Sequence, residues 1–219
     1  MKERQVVVSR FNEGLSWVWA RRFVTIIYNK GLPLETELEQ VCLPNVGRES
    51  HSFLWHIVNN YDALADQTIF CQGNPTDHLG QTTIWEMLEA IDGARFVVPR
   101  FWTGREFGED GQLVHWGPWK AKLDSGAMRK SDLSMAEWFT KYVGVDILAI
   151  GHLTYTLGAN FGVRKDVIHR RPKEFYQAML ETVSGHIDPE ESYFVERAWL
   201  YVFKLGMPQN FVKENQCVC

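Results

Sequence analysis

Three short apolar runs decide what this chain can fold into. Gln5–Ser9, Phe23–Tyr28 and Gln67–Gln72 are nearly continuous in apolar, largely β-branched or aromatic character, and each gives way to polar or Gly-containing residues. A strand without a polar face must be covered on both sides, as in a parallel sheet between helices. Helical spacing fills the gaps. Gly47 and Arg48 open a helix running to about Tyr61, with Phe53, Leu54, Ile57, Val58 and Tyr61 on one apolar face and His56 beside it. Thr82–Ile91 reads as a helix and Arg95–Pro99 as a strand. This alternation predicts an α/β fold with a mainly parallel central sheet flanked by helices.

From about Phe101 to Met128 the pattern changes to a Gly-rich, charged and aromatic stretch with Trp102, Trp116 and Trp119. It reads either as an irregular or hairpin-containing segment beside a site, or as a surface loop with partly buried aromatics. Leu133–Val143 reads as a helix capped by Ser131 or Asp132. Asp146–Ile150 and Ala159–Val163 are strand candidates. Pro172 sits in the first turn of a helix to about Val183, and Asp188-Pro189-Glu190-Glu191 opens the last helix.

With 219 residues the chain can bury a sizeable core as one domain. A net charge of −4 argues against nucleic-acid binding through bulk electrostatics, while leaving room for a local basic pocket. The spacing of Cys42, Cys71, Cys217 and Cys219 suggests no disulfide framework, so a reducing, cytoplasmic compartment is expected. The residues after Met1 lack the apolar run of a signal peptide, and no stretch is long and apolar enough to span a bilayer.

Four segments carry candidate chemistry. Ser9-Arg10-Phe11-Asn12-Glu13 lies at the carboxyl end of the first strand, where open α/β sheets bind ligands. It can hydrogen-bond a base or ribose; alternatively Asn12 caps a helix and Arg10 pairs on the surface. In Tyr28-Asn29-Lys30-Gly31, Lys30 can meet a phosphate and Tyr28 can stack on a base, unless this is a plain turn with a solvated lysine. Asn45-Val46-Gly47-Arg48-Glu49-Ser50 places a glycine before a helix N-terminus, a favourable place for an anion, and Arg48 adds a planar donor. In Gln72-Gly73-Asn74-Pro75-Thr76-Asp77-His78, Asp77 and His78 suit a hard divalent cation on a tight turn, or the segment is an Asn-Pro turn and helix cap.

Taken together these segments resemble a known family. Val7-Val8-Ser9-Arg10-Phe11-Asn12-Glu13, Tyr28-Asn29-Lys30-Gly31, Leu43-Pro44-Asn45-Val46-Gly47-Arg48-Glu49-Ser50-His51 and Phe70-Cys71-Gln72-Gly73-Asn74-Pro75-Thr76-Asp77-His78 are similar, in order and spacing, to GT-A-like domains of formerly unknown function found in fungi, algae, bacteria and large viruses. Ala159-Asn160-Phe161-Gly162-Val163-Arg164, Arg171-Pro172-Lys173-Glu174-Phe175-Tyr176 and Glu196-Arg197-Ala198-Trp199 resemble the family's later half. The resemblance covers most of the chain except its middle.

It implies a single GT-A glycosyltransferase domain over residues 1–219, with a donor half at about 1–99 and an acceptor half at about 100–210, alone or as the amino-terminal part of a longer chain. It also implies transfer of a hexose or deoxyhexose from a UDP-sugar, with Mn²⁺ or Mg²⁺, to a glycan or glycoprotein acceptor such as a viral capsid glycoprotein. The expected donor residues are Ser9, Phe11, Asn12, Glu13, Lys30 and Arg48; the metal residues are Asp77 and His78, although Asp-x-Asp occurs nowhere in the chain. Trp102, Trp116 and Trp119 offer flat faces for acceptor sugars. An inverting enzyme needs a carboxylate base, for which Asp146, Glu191 and Glu196 are candidates. A nucleotide-sugar hydrolase and a catalytically inactive carbohydrate-binding domain are the rival readings.

Overall fold

The computed structural model describes residues 3–19, 24–76 and 84–203. β1 (Arg4–Arg10), β2 (Val24–Asn29), β3 (Glu39–Cys42), β4 (Gln67–Gln72), β5 (Phe96–Val97), β6 (Phe101–Gly104), β7 (Leu153–Thr156) and β8 (Phe161–Arg164) make two sheets. The larger has the order β3-β2-β1-β4-β8-β5, and β6 pairs with β7 in a separate antiparallel ribbon. β3, β2, β1 and β4 are mutually parallel, so the three apolar runs stand side by side. β8 runs against both β4 and β5, which makes the sheet mixed rather than the mainly parallel one expected.

The lack of a polar face on these strands follows from cover on both sides. Val7, Ile26, Tyr28 and Phe70 point into one apolar core; Val6, Val8, Ile27, Ile69 and Cys71 point into the other. The first core is closed by α1 (Arg48–Asn59) and by two later helices, α7 (Lys173–Val183) and α8 (Glu191–Val202). Phe161 and Trp199 meet at 4.9 Å in its centre, and Phe53 and Phe70 at 5.2 Å. The second core is closed by α2 (Ile84–Ala90) together with Leu15. Tyr28 is fully buried, with its hydroxyl 2.8 Å from His56 Nδ1, so it supports the core instead of stacking on a base.

Local structure departs from the sequence pattern chiefly where side chains compete with the backbone. α3 (Gly117–Asp124) lies inside the stretch read as irregular, with Pro118 in its first turn. α4 begins at Met135–Trp138 and continues as a π-helical turn, Phe139–Val143. Its cap is Ser134, not Ser131 or Asp132: Ser134 Oγ accepts from Glu137 N at 3.2 Å while Glu137 Oε2 accepts from Ser134 N at 2.8 Å. The strand expected at Asp146–Ile150 is instead α5 (Ile147–Ile150), because Asp146 caps it by accepting from Leu148 N and Ala149 N. α6 (Lys165–Ile168), β3, β6 and β7 were not foreseen. No described helix is long and apolar enough to cross a membrane. Cys42 and Cys71 are free thiols, one exposed and one buried; Cys217 and Cys219 lie outside the described residues.

Candidate functional site

A cleft of about 760 Å³ opens at the carboxyl ends of β1, β2 and β4. Ser9, Phe11 and Glu13 line it from the β1 end, Lys30 from the β2 end, Gln72 and Asn74 from the β4 end, Arg48 and Glu49 from the start of α1, and Lys122 and Asp188 from the far wall. Two loops form its floor by close approach. A Cβ on Gly31 would lie 1.5 Å from the Phe11 carbonyl oxygen, so only glycine lets the β2 loop rest on the β1 loop. Arg10, nearly buried, ties them together by donating to Asn29 Oδ1 at 2.7 Å, Leu32 O at 2.8 Å and Glu13 O at 2.9 Å.

The start of α1 is backbone-strained. Gly47 has φ +59° and Arg48 has φ +49°, a region costly for a residue with a side chain. Lys30 holds this turn: its buried ammonium donates to the carbonyls of Val46, at 2.5 Å, and of Arg48. Burial lowers the Lys30 pKa to about 7, with Glu49 pulling the other way. Arg48 donates to Tyr193 Oη at 2.6 Å, lies 4.7 Å from the centre of that ring, and stands 3.7 Å from both Glu49 and Asp188. Burial opposes its charge, but Glu49, Tyr193, Glu196 and Asp188 outweigh burial and hold its pKa above the usual guanidinium range. It is a fixed cation at any physiological pH.

A second cleft of about 210 Å³ shares Arg48 and Gln72 with the first. Its rim carries Val114, Trp116 and Trp119, all exposed; its floor holds Glu106, His115, Tyr155, Tyr193, Glu196 and Arg197. The floor is a network of ion pairs. Arg197 donates to Glu106 Oε2 at 2.6 Å and to Tyr193 O at 3.0 Å, and lies 4.8 Å from the centre of the Tyr155 ring. Tyr155 donates to Glu106 Oε1 at 2.7 Å, and His115 Nε2 sits 2.9 Å from Glu190 Oε1. A polar, charge-paired floor beneath an aromatic rim suits a hydroxyl-rich ring with one apolar face.

A family profile described as "Protein of unknown function (DUF3431)" matches residues 6–219. The chain belongs to this family. Neither curated proteins nor solved structures yield a match. The DUF3431 match takes in every residue of both clefts.

Of the residues read from the sequence as donor-binding, Ser9, Phe11, Glu13, Lys30 and Arg48 come together in the larger cleft. Ser9 Oγ is 2.9 Å from Ser52 Oγ, joining β1 to α1. Glu13 Oε2 accepts from Phe11 N at 2.7 Å and so orders its own loop. Asn12 does not line the cleft; its Oδ1 accepts from Leu32 N at 2.9 Å, which makes it a loop strut. Trp116 and Trp119 flank the smaller cleft, whereas Trp102 sits on β6 opposite Tyr155 and lines neither. Of the three carboxylates, Glu196 lines the smaller cleft. Asp146 is the cap of α5 and Glu191 pairs with Arg129 at 2.8 Å; neither belongs to either cleft.

Asp77 and His78 lie outside the described residues. Among the described residues no three His, Cys, Asp or Glu side chains are grouped to hold a metal. The cleft's carboxylates are engaged: Glu13 by its loop amides, Glu49 near Arg48, and Asp188 by Lys122 Nζ at 3.0 Å and Tyr193 Oη at 3.1 Å. The described wall of the cleft therefore does not by itself furnish a metal site. Lys122, Asp188, Glu106, His115 and Tyr155 were missed as site residues. Only the Arg197 that follows Glu196 in the quoted segment carried a signal along the chain.

Proposed function

We propose that this chain is a glycosyltransferase of the GT-A type, moving a hexose or deoxyhexose from a UDP-sugar to a glycan acceptor. One observation carries the reading: a polar, cation-bearing cleft at the carboxyl ends of parallel strands shares Arg48 and Gln72 with an aromatic-rimmed cleft. The first is placed as a phosphate-bearing ligand requires; the second is furnished as a sugar requires. Arg48 stands at the seam. There a permanently charged, pre-positioned guanidinium would stabilise the charge developing on a departing diphosphate. Gly47, with its left-handed φ, sets the start of α1 against this cleft, and a helix N-terminus favours an anion.

Mn²⁺ or Mg²⁺ at Asp77 and His78 remains part of the proposal, and no step here depends on it. A capsid-glycan acceptor rests on the family resemblance alone, and a cytoplasmic site of action on the cysteine spacing.

The test is UDP release from UDP-glucose or UDP-galactose by the purified chain, with and without Mn²⁺ and with and without p-nitrophenyl hexosides. Release that rises with the hexoside supports a transferase. Release indifferent to it indicates a hydrolase, and binding without release a carbohydrate-binding domain. Arg48→Ala should weaken UDP binding in calorimetry by roughly 1.5–3 kcal/mol, the worth of a charge-assisted contact. Unchanged affinity would remove Arg48 from the donor site.

A further inference from the structure

We infer that Glu196 is the catalytic base of this transfer, receiving the proton of the acceptor hydroxyl, and that transfer therefore inverts the anomeric centre. The inference rests on the glycosyltransferase reading. Carboxylates near the clefts differ in how far they are already committed. Glu106 is held by both Arg197 and Tyr155, Glu190 by His115 and by Ser131 N at 2.9 Å, Asp188 by Lys122 and Tyr193, and Glu13 by its own loop amides. Glu49, 3.7 Å from Arg48, lines the larger cleft and not the smaller. Glu196 has one hydrogen bond to its Oε1, from Gly158 N at 3.2 Å. Its Oε2 lies 3.6 Å from Arg197 Nη1, while Arg197 gives its short bond to Glu106. The side chain is 18% exposed and lines the smaller cleft together with Arg48, which borders both clefts. A base for an acceptor bound under the aromatic rim must line that smaller cleft.

Backbone strain marks the same place independently. Among the described residues only Arg48 and Ala159 have positive φ without being glycine, at +49° and +51°. Arg48 borders both clefts, and Ala159 follows Gly158, whose amide fixes Glu196. Such strain persists where the surrounding structure holds a functional geometry.

The charged and titratable groups facing Glu196 are Arg48 and Glu49 of α1, Arg197 of α8 and Tyr155 of β7. Burial raises its pKa, Arg197 opposes this, Glu49 adds to it, and Arg48 and the Gly158 amide lower it; the net shift is upward. A carboxylate with raised proton affinity is a better base near neutral pH. In the step, the acceptor O–H bond breaks with its proton passing to the Glu196 carboxylate. The oxygen's electron pair forms the new bond to the anomeric carbon. The bond from that carbon to the β-phosphate oxygen breaks, and its electrons leave with UDP.

Glu196→Gln keeps the shape and the bond from Gly158, so melting should not change. With UDP-glucose or UDP-galactose and p-nitrophenyl hexosides, turnover should fall by about a hundredfold or more while the donor KM stays within about threefold. Glu196→Asp should restore part of the rate. The acidic limb of the wild-type kcat profile should vanish in Glu196→Gln, and proton NMR of the first product should show the inverted anomer. Glu196→Gln turnover above about a tenth of wild type, or a retained anomer, overturns the inference. A wild-type chain whose UDP release is indifferent to the hexoside, that binds UDP-sugar without turnover, or that neither binds UDP-sugar in calorimetry nor releases UDP fails the glycosyltransferase reading itself, which is a distinct result.

Discussion

The two clefts meet at Arg48 but are built in opposite ways. The larger is made chiefly by main chain: three parallel strands end on one side, a glycine lets two loops touch, and Lys30 clamps two carbonyls at the start of α1. The smaller is made by side chains. Arg197, Glu106 and Tyr155 pair across α8, β7 and the segment after β6, and the tryptophans of the α3 region form the rim. Main-chain construction places ligand groups wherever the sheet places its strand ends. Side-chain construction depends on each charge having its partner, so a single loss should be felt more.

Arg197→Met gives the largest effect. It strands the buried Glu106 carboxylate, and breaking such a pair from one side costs about 3 kcal/mol or more. Urea unfolding should show that loss, while the molecules still folded bind UDP as before. Loss of UDP affinity would show that the two clefts are not separately built.

Lys30→Met tests the main-chain clamp through pH. In wild type the folded-state pKa lies near 7, below the unfolded value. Between the two values the unfolded chain carries a proton that the folded chain lacks. Stability contributed by Lys30 is therefore lowest below pH 7 and rises with pH from about 7 to about 10, by at most ~1.4 kcal/mol per pH unit. Subtracting the unfolding profile of Lys30→Met from that of wild type should recover this rise. A flat difference would mean the ammonium stays charged in the fold.

The smallest effect separates the tryptophans. Trp116→Ala and Trp119→Ala should each raise the acceptor KM about fivefold, roughly 1 kcal/mol of ring contact. Trp102→Ala should leave it unchanged, since that ring lines neither cleft. Equal effects from all three would place the acceptor across the β6–β7 ribbon instead.

Legibility in the sequence follows the same division. Val6–Val8 and Thr68–Phe70 announced buried neighbouring strands because burial on both faces leaves no alternating polar face in a run, a local property. The residues following those runs were marked as cleft residues because chain direction alone puts them at strand ends, Lys30 among them; Arg48 was marked by the glycine before a helix start. Yet their roles were not. Lys30 was read as a phosphate ligand or a solvated turn lysine, and it is a buried clamp on Val46 and Arg48. Asp146 was read as a base, and a carboxylate two residues before a helical amide is equally a cap. What the sequence determined by itself is the parallel block of the sheet and the end at which its cleft opens, because periodicity and order along the chain suffice. The tertiary structure alone decided that β8 runs against its neighbours, that Glu106 and Arg197 pair across 91 residues, and that of three carboxylates only Glu196 lines a cleft. Direction of pairing and the partner of a charge are fixed by which surfaces meet, and nothing along the chain records that.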